Sequence, residues 1–189
     1  MTSLQKYNTF GKRVLAALGD GFVFIPFTIL SNRFDDPNDK GAYFVISLLY
    51  IICWMLYVVI GHGKYGQTIG KHLMGIKVFD LQEQNVIGYR KAFYREAIWF
   101  FAAAAALVYL KITIDTSGAQ SETIPYYHGY VRLTMSMWLV LELVTMFFNT
   151  KRRALNDLIA GSIIVDVNVM KREVLQRREQ ELALSLQHK

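Results

Sequence analysis

The chain is short of charge, proline and cysteine. Of its 189 residues only 19% are charged, 3 are proline and 1 is cysteine. A soluble domain usually carries about 25% charged residues, so the deficit weighs against an ordinary water-exposed globule. The scarcity of proline excludes a collagen, and a single cysteine excludes a disulfide scaffold. Disorder is excluded by the opposite property, since 53% of residues are hydrophobic, with 12 Phe, 11 Tyr and 3 Trp. The length suits one domain. The formal net charge of +6 suits either nucleic acid or an anionic membrane surface, and the placement of the charges decides between them.

Charge is nearly missing from four runs: 14–30, 42–60, 97–114 and 133–149. A helix crossing a bilayer needs about 20 mostly apolar residues, with about 17 as the lower end. The second run meets this without a single charge and shows no polar stripe of helical period, as a buried soluble helix would. The first is interrupted by Gly19-Asp20-Gly21, the third needs Lys111 to snorkel, and the fourth contains Glu142. Cys53 sits in mid-run as a small core residue. No small-x-small cleavage site follows Leu30, so no cleaved signal peptide is predicted.

Of the 21 Lys and Arg residues, 17 fall before the first run, between the second and third, or after the fourth. Four fall on the other side: Arg33, Lys40, Lys111 and Arg132. The basic side of a multi-pass protein is cytoplasmic. The sequence therefore predicts an all-α membrane protein: a four-helix transmembrane bundle with both termini cytoplasmic, in the inner (plasma) membrane. The membrane domain is expected over 10–167, followed by a charged helical tail over 168–189. The basic residues are explained by topology, and nucleic acid is not needed.

The glycine-rich connection 61–79 lacks the spacing of a phosphate loop, because Tyr65 and His72 occupy the diagnostic positions. It predicts a short amphipathic helix from Thr68 to Met74, with Lys71 snorkelling toward lipid headgroups. Residues 76–79 alternate like a strand, which 86–87 can resume after a turn as a small β-hairpin. Gly161 is a helix stop, and 162–167 predicts another strand able to pair near Val78. His62 and His72 are expected at the interface. No metal-spaced histidine pair exists among His62, His72, His128 and His188, and no enzyme activity or cofactor is predicted.

Ionisable side chains within spans are costly, so each is a candidate for function. Asp20 lies two helical turns after Arg13, a rise of about 10 Å, too far for a direct bridge without an intervening group. Asp20 is expected either to pair with a cation or to titrate. Glu142 is expected to pair with Arg95 or Arg132, or to be protonated and hydrogen-bonded.

Three motifs carry a resemblance: Arg13-x-x-Ala16-x-x-x-Asp20, then Gly66-Gln67-Thr68-Ile69-Gly70-Lys71-x-x-x-Gly75-Ile76-Lys77-Val78, then Arg152-Arg153-Ala154-Leu155-Asn156-Asp157-x-x-Ala160-Gly161-Ser162. Together they resemble the RDD family of bacterial membrane proteins, named for one arginine and two aspartates. The resemblance implies that Arg13, Asp20 and Asp157 form the defining set, and a few members are linked to sodium–proton antiport. Two roles are open for the cluster. One is an architectural ion-pair cluster in a non-enzymatic accessory or scaffold subunit. The other is a small cation/proton transporter, working as a homo-oligomer, in which Asp20, Asp157, Thr68 and Asn156 supply the oxygens a hard cation prefers. Lys71, Arg153 and Glu142 are supporting residues in either case. Expected partners are the bilayer, anionic headgroups at the basic face, and a cytoplasmic protein docked on the tail.

Overall fold

A computed structural model describes residues 4–33, 40–117 and 123–187; within its helices the side chains of 31, 32, 40, 113, 114, 116, 117, 123–128, 130–132, 135 and 187 lie outside the described set. The side chains of Lys40, His128 and Arg132 therefore lie outside the described set, and His188 lies outside the described residues.

Four long helices dominate: α1 (Phe10–Arg33), α2 (Lys40–Ile60), α4 (Gly88–Ser117) and α5 (Thr123–Phe147). Among the described residues three stretches are long and apolar enough to cross a membrane: Gln5–Leu30, Gly41–Tyr65 and Gly88–Ile112. The corresponding apolar part of α5 is the shorter Ser136–Phe147. These helices present their hydrophobic side chains outward; Phe22 is 72% exposed, Phe101 65% and Phe147 69%. Soluble monomers rarely leave contiguous apolar surface of this extent uncovered. A lipid environment removes the penalty.

The short elements collect at one end. A 3-10 turn (Gln5–Tyr7) precedes α1, and α2 runs on into a π-helical turn (Gly61–Tyr65) closed by Gly66 at φ 72°. Then come α3 (Ile69–Leu73), β1 (Ile76–Asp80), α6 (Leu155–Ala160), β2 (Ser162–Asp166) and α7 (Val167–Gln187). Thr68 is the N-cap of α3, its hydroxyl accepting the Lys71 N–H at 3.5 Å. Gly161 adopts φ 61° and terminates α6, as its position predicted.

The strand at 76 pairs antiparallel with the strand at 162, Val78 opposite Ile164. The expected hairpin through 86–87 does not form: β2 takes one edge of β1, on the other the Val78 N–H donates to the Gly66 carbonyl at 2.7 Å, and Ile87 packs into the core. A two-stranded sheet is marginal alone. Here both faces are covered: Ile76, Val78 and Ile164 pack with Ala16, Ile87 and Ala92, while Ile163 and Val165 pack against Tyr7.

Ion pairs fasten the sheet to the first turn of the chain. Lys6 Nζ lies 2.5 Å from Glu83 Oε2, Tyr7 donates its hydroxyl to the same carboxylate, and Lys12 Nζ lies 2.6 Å from Asp166 Oδ2. Asp166 also caps α7, accepting the N–H groups of Asn168 and Val169 at 3.0 and 3.3 Å. Burial alone would raise both carboxyls. The donors outweigh it and hold Glu83 and Asp166 below the usual carboxylate range. A carboxyl depressed on folding stabilises above its unfolded pKa and loses that contribution as pH falls through the folded one. The protection factors of amide hydrogen exchange over 167–187, taken relative to the free-chain rate at each pH, should therefore be high at neutral pH and fall below about pH 4. The Glu83→Gln, Asp166→Asn variant should exchange fast already at neutral pH, with a flattened pH response; protection equal to the parent would contradict these contacts.

Candidate functional site

Asp20 is 4% exposed on α1, at a point where two backbones nearly touch. A Cβ added to Gly70 would lie 2.0 Å from the Ala16 carbonyl oxygen, and one added to Gly19 would lie 3.3 Å from the Gly70 Cα. Only glycine permits α3 to sit this close to α1. At that distance the Gly70 N–H donates to Asp20 Oδ1 at 2.7 Å. Tyr57 of α2 donates its hydroxyl to the same oxygen at 2.5 Å, and the Thr68 hydroxyl donates to Oδ2 at 2.6 Å. Tyr57 in turn accepts the Ile69 N–H at 2.9 Å. Asp20 thus satisfies donors at the start of α3 that have no partner within that helix. The expected pairing with a cation is not seen: among the described residues no salt bridge reaches Asp20, and neutral donors hold it instead. Arg13 points elsewhere.

Arg13 points to Asp157, the second aspartate, whose side chain is completely buried. Asp157 Oδ2 accepts from Arg13 Nη1 at 2.7 Å and from the Ala154 N–H at 3.1 Å. Asp157 Oδ1 accepts from Arg95 Nη1 and from the Ser162 hydroxyl, the latter at 3.3 Å. Arg13 also donates to the Arg152 carbonyl at 3.0 Å, so its fork ties α1 to the loop before α6 as well as to α6 itself. Arg95 brings in α4 and donates to the Ser162 oxygen at 3.1 Å. Arg153 closes the turn between α6 and β2, donating to the Ser162 carbonyl at 3.0 Å and the Asp157 carbonyl at 3.1 Å. Burial would raise the Asp157 carboxyl, but the Arg95 and Arg13 guanidinium groups prevail and hold it well below the usual range.

Among the described residues Glu142 of α5 does not hydrogen-bond Arg95, and the side chain of Arg132 lies outside the described set. Glu142 Oε1 accepts from Trp138 Nε1 at 3.2 Å and from the Asn156 amide. The four oxygen-bearing residues expected to surround a cation have separate partners: Thr68 bonds Asp20, Asp157 bonds two arginines, and Asn156 bonds Glu142 through its amide nitrogen, its buried Oδ1 having no partner among the described residues. Among the described residues no group of three or more His, Cys, Asp and Glu side chains is placed to hold a metal ion.

Lys71 does not snorkel outward. It is half-buried beside Asp20, Arg95 and Glu96, and burial together with the Arg95 charge lowers its pKa from the ordinary lysine value. His62 is likewise not interfacial. It is 2% exposed, with Nδ1 3.3 Å from Glu96 Oε1, and Arg95 Nε approaches the same oxygen at 3.6 Å. Sequence reasoning missed Tyr57, His62, Glu96 and Ser162 as participants, and treated Arg95 chiefly as a topology signal. The available hint was a histidine set between two glycines, Gly61 and Gly63.

Tyr57 offers a graded test of the Asp20 cradle. Phenylalanine there removes one donor from a buried carboxylate and orphans the Ile69 N–H. Hydrogen bonds to charged groups contribute about 1.5–3 kcal/mol. Thermal unfolding in lipid nanodiscs should show Tyr57→Phe destabilised by that order. In an Asp20→Ala background the same substitution should cost much less, and an undiminished cost there would mean that the two groups do not interact.

The RDD family model matches residues 7–161. No curated protein and no solved structure matches the chain. The match takes in all four long helices, α3, β1 and α6, together with Arg13, Asp20 and Asp157. By this match the chain belongs to the RDD family.

Proposed function

We propose that the chain is a non-enzymatic, multi-pass inner-membrane protein with four spans and cytoplasmic termini, in which the arginine and the two aspartates are architectural. The observation that carries this is the full burial of Asp157 between Arg13 and Arg95. A sodium ion entering there would have to displace a hydrogen-bonded guanidinium and would be repelled by the other. Asp20 supports the same view, because both its oxygens already accept hydrogen bonds. The cluster fastens α1, α4 and α6 at the end where most basic residues lie. That end then forms a fixed platform beside anionic headgroups, with α7 projecting to a cytoplasmic partner.

The competing role is a small cation/proton transporter using Asp20 and Asp157. Purified protein in proteoliposomes, loaded with a pH-sensitive dye and given a sodium pulse, distinguishes the two. The architectural role predicts proton flux no greater than in empty liposomes. Sodium-dependent flux that disappears in folded Asp20→Asn or Asp157→Asn protein would overturn it.

The topology is testable apart from the flux. In a Cys53→Ser background, Ser185→Cys should react with a membrane-impermeant maleimide in inverted vesicles and stay unlabelled in intact cells. The reverse pattern would refute cytoplasmic placement of the tail.

A further inference from the structure

The hydrogen bonds of Asp20 and Asp157 leave one buried titratable pair unused. His62 stands in the π-helical turn Gly61–Tyr65 that continues α2. Such turns are rare and occur often at functional positions. Glycines on either side of His62 admit close neighbours: a Cβ at Gly63 would lie 2.7 Å from the Tyr89 ring of α4. His62 is thereby driven into the interior opposite Glu96, itself 8% exposed.

Neither ring nitrogen of His62 has a hydrogen-bond partner among the described residues, and neither does Arg95 Nε. Buried polar atoms are nearly always satisfied, so three orphans around one carboxylate call for an explanation. Glu96 Oε1 is the acidic oxygen near them, 3.3 Å from His62 Nδ1 and 3.6 Å from Arg95 Nε. Two residues are too few to hold a metal ion. A proton requires no cavity and suits both groups.

We propose that His62 and Glu96 form a one-proton binding site, and that Arg95 transmits its occupancy to Asp157. Facing a carboxylate, neutral His62 carries its hydrogen on Nδ1 and its lone pair on Nε2, the tautomer assigned by geometry. A proton taken from water then yields imidazolium beside carboxylate, or imidazole beside carboxylic acid. No other bond breaks in either form. The empty pair carries one negative charge, shared with Arg95; the occupied pair carries none. Occupancy therefore cancels the net negative charge that competes with Asp157 for Arg95, and strengthens the bond between α4 and α6. The other charged groups are Lys71 of α3 beside the pair, Asp20 and Arg13 of α1 beyond Lys71, and Asp157 and Glu142 beyond Arg95.

The test uses the full chain in lipid nanodiscs with ¹⁵N-labelled histidine and arginine. His62→Gln assigns the His62 ring signals, and Arg95→Lys assigns Arg95 Nε. The expected result is a His62 titration between about pH 3.5 and 9, with the Arg95 Nε signal moving at the same midpoint. In Glu96→Gln the His62 midpoint should fall by at least about one unit, a tenfold loss of proton affinity. If that variant does not fold, Glu96→Asp keeps the charge at altered distance and should still move the midpoint. A His62 ring that never titrates in the parent, or a midpoint unmoved by the Glu96 variant that folds, overturns the site. An Arg95 signal that ignores the titration overturns the coupling to Asp157.

Discussion

Replacing Asp157 by alanine is expected to cost about 3–5 kcal/mol, the loss typical when one partner of a buried ion pair is removed. Total stabilities of folded domains are about 5–15 kcal/mol, so little would remain. The cost arises chiefly from what is left behind. Arg13 and Arg95 would face each other across a dry gap, each still charged. The Ala154 N–H and the Ser162 hydroxyl would lose the acceptor that fixes the start of α6 and the start of β2. Asparagine should rescue only part, because its amide nitrogen presents hydrogens to one of the two arginines. Thermal unfolding in nanodiscs gives the size. The triple variant Arg13→Met, Asp157→Leu, Arg95→Met sharpens the test, since a buried ionic group replaced entirely by apolar side chains is often tolerated. It should recover much of the stability lost in Asp157→Ala. A single variant as stable as the parent would show that the charges are not desolvated.

Gly70→Ala is the second large effect expected. The new methyl carbon would lie 2.0 Å from the Ala16 carbonyl oxygen and 2.9 Å from the Asp20 nitrogen, both backbone atoms of α1. Neither can swing aside as a flexible side chain would, so α3 must withdraw. Withdrawal stretches the 2.7 Å bond from the Gly70 N–H to Asp20 and drags Thr68 away with it. Overpacking alone costs about 1–3 kcal/mol, and each lost bond to the carboxylate adds to that, for a total of several kcal/mol. Gly19→Ala, with its nearest contact at 3.3 Å, should be milder. Combining Gly70→Ala with Asp20→Ala should be little worse than Gly70→Ala alone, because the bonds in question are already lost. Parent-like unfolding of Gly70→Ala would mean that α1 and α3 do not pack this closely.

What the sequence made legible was local or periodic. The apolar runs placed α1, α2 and α4, Thr68 announced a helix start, and Gly161 a helix stop. The alternation at 76 and at 162 was visible, and so was their pairing near Val78, because two short strands with apolar faces have few other partners. The hairpin expectation failed because the edge of β1 away from β2 is met by the Gly66 carbonyl, a contact that no local pattern announces. Polar partners were far less legible. Arg95 looks like any basic residue approaching a span, and the topology rule explains it so well that its second role is hidden. Asp20 suggested a cationic partner because a lone carboxylate in an apolar run demands compensation. Neutral donors compensate it only because Gly19 and Gly70 bring α3 into bonding range. His62 was misplaced because helical turns predict which face a residue occupies, and the π-helical turn at Gly61–Tyr65 changes that face.

The clamp joins α4 to α6 through the buried ion pair of Arg95 with Asp157. A double-mutant cycle on these two residues, with unfolding free energies measured in nanodiscs for the parent, Arg95→Ala, Asp157→Ala and the pair together, tests it most directly. Strong non-additivity is expected, with a coupling energy of at least about 1.5 kcal/mol and the double variant far less damaged than the sum of the singles. Losses that simply add, to within about 0.5 kcal/mol, would show that the two residues do not hold each other and would contradict the architectural role assigned to the cluster.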